Sequence, residues 1–234
     1  RGRCFCRTGP DRRNNCGNYH IGKQVADKLG GEVTEFFLPR DFGDFCVGCT
    51  QCFLKSETLC PHYERLKKIT EAMDEADVLI FTTPVYVYHC TGSMKAFLDH
   101  YGYRWMVHRP EQKMFTKQAV VISTAAGSGT KSANKDIADS MFFWGVPKTY
   151  RYGVNVRATN YSGVTDELKK KIDKKTTSIA NKVKKNNGKV KAGLKTKGFF
   201  FIMRMIQKSG WNEADKNYWA ERGWNGKNRP WKNT

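Results

Sequence analysis

Two groups of residues in this chain have types and spacing suited to chemistry. The first is a run of four cysteines, Cys46-x2-Cys49-x2-Cys52-x7-Cys60, followed at once by Pro61. Thiolates at this spacing can converge on one centre, because each two-residue turn brings the next sulfur round to the same point. An iron–sulfur cube of the [4Fe–4S] type is one occupant. Zinc is a second, since it too takes four thiolates, and packed or redox thiols without metal are a third reading. Cys4, Cys6, Cys16 and Cys90 have no comparable spacing and are read as structural.

The second group is spread over three loops. Residues 8–18 read TGPDRRNNCGN, rich in turn formers and carrying two arginines. Such a loop feeding a helix start is an anion site, because unpaired N–H groups and the helix dipole face it, and an arginine adds a charge-assisted clamp for phosphate. Residues 83–91 begin Thr83-Pro84 and carry Tyr86, Tyr88 and His89, flat side chains suited to a ring system or to interface packing. Residues 124–130, TAAGSGT, are small enough to let backbone N–H groups approach a ring edge. Phosphate donors, an aromatic wall and a small-residue edge together describe a mononucleotide with a large planar head. A flavin fits that description.

The elements that would position these loops follow from hydrophobic periodicity. Val78-Leu79-Ile80-Phe81 is a short apolar run suited to a strand buried on both faces. Glu32 to Leu38, Gln118 to Thr124 and Thr149 to Val156 read as further strands. The opening Arg1 to Arg7 occupies the place of a first strand but is charged and only partly alternating. Helical stripes recur between them: Ile21, Val25 and Leu29; Leu66, Ile69, Met73 and Ala76; Met94, Phe97, Leu98 and Tyr101; Ile137, Ala138, Met141 and Phe142; and Val164 through Val183. The helix after Gly92 is expected to run to about Tyr103. Alternating strands and helices predict an α/β fold, a doubly wound five-stranded parallel sheet of flavodoxin-like order 2-1-3-4-5. The three loops then share the carboxyl edge of that sheet, where ligands bind.

Charge divides the chain. The formal net charge is +19, yet 19 Lys and Arg against 4 Asp and Glu lie from Lys169 onward, leaving a near-neutral body before them. We therefore read residues 1–186 as the folded domain and 187–234 as a basic, Trp-rich extension that begins its apolar part at Phe199. No recognised nucleic-acid motif accompanies the charge, which argues against nucleic acid. The tail suits either a partner subunit, burying Phe199 to Ile206 and Trp211 to Trp224, or an anionic membrane surface. No run reaches the ~20 apolar residues of a membrane span, and no signal-peptide pattern opens the sequence. A cytoplasmic location is the expectation, and in a reducing compartment the cysteines are ligands or redox thiols rather than disulfides.

One stretch carries a family resemblance. Pro84-Val85-Tyr86 followed by Thr91-Gly92-Ser93-Met94-Lys95-Ala96-Phe97-Leu98-Asp99 resembles the signature of the NADPH-dependent FMN reductase family, which includes the iron–sulfur flavoproteins. The likeness runs from about Thr8 to Val156. It departs in the longer, charged first loop and at His100, where the family has Arg. The resemblance implies FMN, reduced by NAD(P)H. Its phosphate would lie at Gly9, Arg12, Arg13, Asn18 and Tyr19. Pro84, Val85, Tyr86, Val87 and Tyr88 would wall the ring, with Thr124, Ala125, Gly127 and Gly129 on its other side. It also implies a [4Fe–4S] cluster on Cys46, Cys49, Cys52 and Cys60, a small-molecule or protein electron acceptor, and a homo-oligomer. No side-chain acid or base is required, because the redox chemistry is the cofactor's. Two other functions remain on the table: an electron carrier without turnover, and a peripheral membrane or scaffold protein on a vestigial flavin fold.

Overall fold

The structure is a computed structural model that describes residues 2–8 and 17–232. Five parallel strands form one sheet in the order β2-β1-β3-β4-β5: β1 Arg3–Thr8, β2 Val33–Leu38, β3 Val78–Pro84, β4 Gln118–Ala125 and β5 Lys148–Asn155. The helices are α1 Gly17–Leu29, α2 Gln51–Leu54, α3 Tyr63–Glu75, α4 Gly92–Asp99, α5 Thr130–Phe143, α6 Asp166–Lys185, α7 Leu194–Ser209 and α8 Glu213–Glu221. Parallel neighbours cannot be joined by tight turns, so each crossover helix lies on one face or the other. Val25, Leu29 and Ile179 of α1 and α6 cover Phe5, Ile80 and Val120 on one face. Ile69, Phe97 and Met141 of α3, α4 and α5 cover Cys6, Phe81 and Val121 on the other.

The charged first strand is accommodated by alternation. Cys4 and Cys6 point into one layer and Phe5 into the other, all buried. Arg7 lies over the rings of Tyr19 and Phe37 at 4.7 and 4.3 Å and donates from Nε to Glu35 Oε1 at 2.5 Å. Arg3 donates from Nη2 to the Leu29 carbonyl at 3.3 Å. The arginines therefore sit at the two ends of the strand, where guanidinium can stack or reach a carbonyl, while its centre is apolar. Helix α1 approaches the sheet closely at Gly22, where a Cβ would fall 2.6 Å from both the Phe5 ring and Thr82 Cγ2.

Helix α4 is shorter than the apolar stripe suggests. It ends at Asp99, and His100 folds its ring back to the Ala96 carbonyl (Nδ1 to O 2.7 Å) before a 3-10 turn over Gly102–Arg104. A larger correction concerns the tail. Phe200, Met203, Trp219 and Trp224 are buried in their own chain, in a third cluster with Met106 and Phe115. No partner is needed to cover them, because the loop after α4 supplies a matching apolar surface. Helix α8 had no visible stripe, since its fixed points are polar: Asn212 caps it, accepting from Ala214 and Asp215 N–H at 3.0 and 3.4 Å.

Asp215 ties the tail to the cysteine segment. It is fully buried and accepts from Arg109 Nη1 at 2.6 Å and His108 Nδ1 at 2.7 Å. Arg109 also donates to the carbonyls of Cys52 and of Phe53 (3.1 Å), and Asn212 Nδ2 donates to Phe53 O at 3.0 Å. Removing the carboxylate would leave the buried Arg109 charge with only the partly exposed Glu57, 4.0 Å away, among the described carboxylates, a costlier change than losing the pair together. We expect Asp215→Ala to lower unfolding free energy by about 3–5 kcal/mol in urea titration. A loss under about 1 kcal/mol, the range of exposed pairs, would refute this account.

Candidate functional site

Beyond β3 the chain stays beside β4 for one more residue, with Val85 N–H donating to Thr124 O at 2.8 Å. It then reverses. Tyr86 and His89 exchange two backbone hydrogen bonds of 3.0 Å, and Val87 and Tyr88 between them take φ of 48° and 66°. Two left-handed residues make the tight turn that glycine or asparagine normally supplies, and a β-branched residue there is strained. Surrounding contacts hold it. Asp136 of α5 accepts from Cys90 N–H at 3.0 Å and His89 Nδ1 at 3.1 Å. Gly129, at φ 92°, lies so close that a Cβ would fall 2.6 Å from Val85 Cγ1 and 3.0 Å from Tyr88 Cα. Thr83 Oγ1 accepts from Thr91 N–H at 3.2 Å, and Thr91 caps α4 by accepting from Met94 N–H at 3.3 Å.

A cavity of about 150 Å³ opens beside this turn, between the start of α1 and the ends of β3 and β4. Gly17 and Asn18 line one side, Pro84, Val85 and Tyr86 another, and Thr124, Ala125 and Ala126 the floor, with Val156, Ala158 and Thr159 closing it. This is the reversal point of the strand order, between β1 and β3. Among the described residues the lining carries no charged side chain. Asn18 is oriented by donating from Nδ2 to Thr82 Oγ1 at 3.3 Å, and the first N–H groups of α1 lack intrahelical acceptors.

Asn18, Pro84, Val85, Tyr86, Thr124 and Ala125 are thus brought together. Tyr19 is placed in the core, its ring parallel to that of Phe5 at 6.2 Å. Val87, 93% exposed, and Tyr88 stand on the outer tip of the turn, and Gly129 backs against it. Gly127 accepts through its carbonyl from Asn155 Nδ2 and is not part of the lining. Gly9, Arg12 and Arg13 lie outside the described residues. Asp136, Ala158 and Thr159 had no motif to mark them; only the approach of α5 and β5 reveals them. A cavity of about 390 Å³ lies elsewhere, against α8. Its lining mixes Arg104, Arg109 and Arg222 with Glu57, Asp74 and Glu221, beside Tyr103 and Tyr218.

The cysteines occupy a loop shaped by left-handed residues at Gly48 (φ 67°) and Thr50 (φ 58°), just before α2. Cys46 and Cys49 are exposed, Cys52 and Cys60 half-buried. Burial pushes the Cys52 thiol up to about 11, and the neighbouring thiols Cys60, Cys46 and Cys49 push the same way. A metal taking these thiols must displace their protons. Burial also raises Cys60, while the His62 N–H opposes it. Cys60 Sγ and ring nitrogens of His62 and His100 lie within 4.8 Å of one another, with His62 Nδ1 and His100 Nε2 2.9 Å apart. His100 Nδ1 faces the Ala96 carbonyl and so carries the proton, leaving Nε2 to accept from His62. Burial lowers the pKa of His100, favouring that neutral form. The residue that replaces the family arginine thus packs behind the fourth cysteine.

Cys4 and Cys6 are buried with sulfurs 3.8 Å apart. Burial first, then Asp136, pushes the Cys90 thiol up to about 12, so it stays protonated and packs as a small apolar group. Cys16 lies outside the described residues. Gly129 is the most testable point of the site. Gly129→Ala should destabilise the fold by about 1–3 kcal/mol, from left-handed strain and the close approach to the turn. Equal urea midpoints for the two proteins would show that the turn does not depend on it.

The chain is similar in sequence to known iron–sulfur flavoproteins. An iron–sulfur flavoprotein of Archaeoglobus fulgidus is 28% identical over 134 residues, 56% of this chain and 57% of the relative. One from Methanocaldococcus jannaschii is 36% identical over 70 residues, 30% of this chain and 35% of the relative. The chain thus spans little more than half the length, or less, of these relatives. In fold it is similar to an NAD(P)H:quinone oxidoreductase from Methanothermobacter marburgensis, with TM-score 0.56 and 16% identity, over 78% of this chain and 96% of that one. Residues 12–157 match the family described as NADPH-dependent FMN reductase, and the chain belongs to that family.

Proposed function

We propose that this protein is an FMN-dependent NAD(P)H oxidoreductase whose four-cysteine loop holds a [4Fe–4S] cluster that exchanges electrons with the flavin. The observation that carries the reading is the cavity at the reversal point of the sheet, walled by Pro84–Tyr86 and floored by Thr124–Ala126. FMN, once bound, supplies the chemistry: it takes hydride from NAD(P)H and can release electrons singly. The protein's part is binding and orientation. The positive end of the α1 dipole, beside Gly17 and Asn18 in the lining, suits a phosphate. The rigid, strained turn at Val87–Tyr88 keeps Tyr86 against the cavity. The small side chains of Ala125 and Ala126 leave room for the backbone of β4's end to meet a ring edge.

Cys46, Cys49, Cys52 and Cys60 would ligate the cluster; the names of the archaeal relatives and the spacing of the four cysteines support this. Anchoring of the Cys52 and Phe53 carbonyls by Arg109 and Asn212 keeps the loop in register for the ligands. The reading includes a cytoplasmic location, where the thiols stay reduced, and a homo-oligomer covering the exposed Phe45, Val47 and Leu54 beside the cysteines. Among the described residues no helix is long and apolar enough to cross a membrane. Exposure of Cys46 and Cys49 favours one second reading, an electron carrier that passes single electrons to a protein partner without turnover.

Anaerobically purified protein should absorb near about 370 and 450 nm from flavin, with a broad shoulder beyond from the cluster. Cys49→Ser should remove the shoulder and keep the flavin bands. Ala126→Phe, which fills the cavity floor, should weaken FMN uptake about ten-fold or more. Colourless protein that takes up no FMN would sink the proposal. Flavin bands with stoichiometric zinc would overturn its cluster half, and rapid one-electron exchange without NAD(P)H oxidation would select the carrier.

A further inference from the structure

Helix α7 is apolar on two opposite sides, and only one of them is covered. Phe200, Met203 and Gln207 face inward, in the cluster with Trp219 and Trp224. On the far side Leu194 (88% exposed), Phe201, Ile202 and Met205 (54%) face water. Their spacing, i, i+7, i+8 and i+11, puts them on one continuous face, and Gly198 between them adds no side chain. Exposed lysines border it, Lys195 on one flank and Lys197 and Lys208 on the other. A helix apolar all round is normally buried all round. A contiguous exposed face of this kind on a folded chain marks a docking surface.

Charge selects the occupant. From Lys174 to Asn212 there are eleven Lys and Arg and no Asp or Glu. A second copy would bring the same lysine borders against themselves, a like-charge juxtaposition that costs association. An anionic lipid surface meets both demands at once. It takes the apolar side chains to the headgroup boundary, and its charge pairs with the exposed Lys197 and Lys208, while Lys195 on the other flank lies over the Phe142 ring at 4.2 Å. Trp211, exposed just past the C-cap Gly210, is a residue type enriched at such boundaries. Among the described residues no helix is long and apolar enough to cross a membrane, so α7 would lie flat.

We propose that the outer face of α7, Leu194–Phe201–Ile202–Met205 with its lysine borders, docks this protein onto anionic membrane surfaces. The proposal is independent of the flavin reading, since none of these residues lines the cofactor cavity. It is tested by flotation of the full chain with extruded vesicles of phosphatidylcholine alone or mixed with phosphatidylglycerol. The protein should float with the anionic vesicles only, and high salt should release it. Phe201→Ser with Met205→Ser leaves the charge unchanged and should weaken partition about ten-fold or more at unchanged circular dichroism. Should that pair fail to fold, Leu194→Ser with Ile202→Ser serves instead. Absence of flotation, or flotation undiminished by the serine variants, overturns the proposal. So does an oligomer in light scattering that the variants convert to monomer while vesicle binding persists, which would give the face to a second copy.

Discussion

Hydrogen bonding between parallel strands is the constraint on which everything else here rests. β1 pairs with β2 on one side and β3 on the other, register for register, and neither pairing allows a tight turn. The chain must cross over the sheet between β1 and β2 with α1 and then between β2 and β3 with α3, on opposite faces. That divergence leaves a crevice at the carboxyl edge between β1 and β3. The cavity of Asn18, Tyr86 and Ala125 is this crevice. Its location is a consequence of topology before any side chain is chosen.

What is added to that crevice is rigidity. A turn with Val87 and Tyr88 in left-handed conformation costs energy that a Gly or Asn turn would not. Asp136 and Gly129 over-determine it from α5. The strain therefore sits at the tip of the turn, next to the residues that wall the candidate cofactor site. A looser turn would be cheaper and would let Tyr86 wander.

The basic tail is not an appendage in structural terms. Through Asp215 and Asn212 it holds Arg109 and the carbonyls of Cys52 and Phe53, so the cysteine loop depends on residues more than 150 positions later in the chain. A loop with exposed thiols and left-handed residues at Gly48 and Thr50 has little core of its own. Its order comes from the buried ion pair behind it, and that pair is stable only while the tail's aromatic cluster keeps water out.

Much of this was legible in the residues alone. Apolar runs such as Val78–Phe81 and stripes such as Ile69–Met73 determine strand and helix by themselves, because periodicity 2 or 3.6 decides which face is buried. The cysteine spacing and the Pro84 to Asp99 signature are local, and local patterns survive without coordinates. The charged first strand was not legible, because its burial depends on Tyr19, Phe37 and Glu35 lying around Arg7. Nor were the roles of Asp136, His100 and Asp215. Each acts on groups distant in sequence, and the charge of a side chain does not reveal which buried partner will neutralise it. Local periodicity settles what a segment becomes; which polar groups meet across segments is decided only when the sheet order brings them within hydrogen-bonding reach.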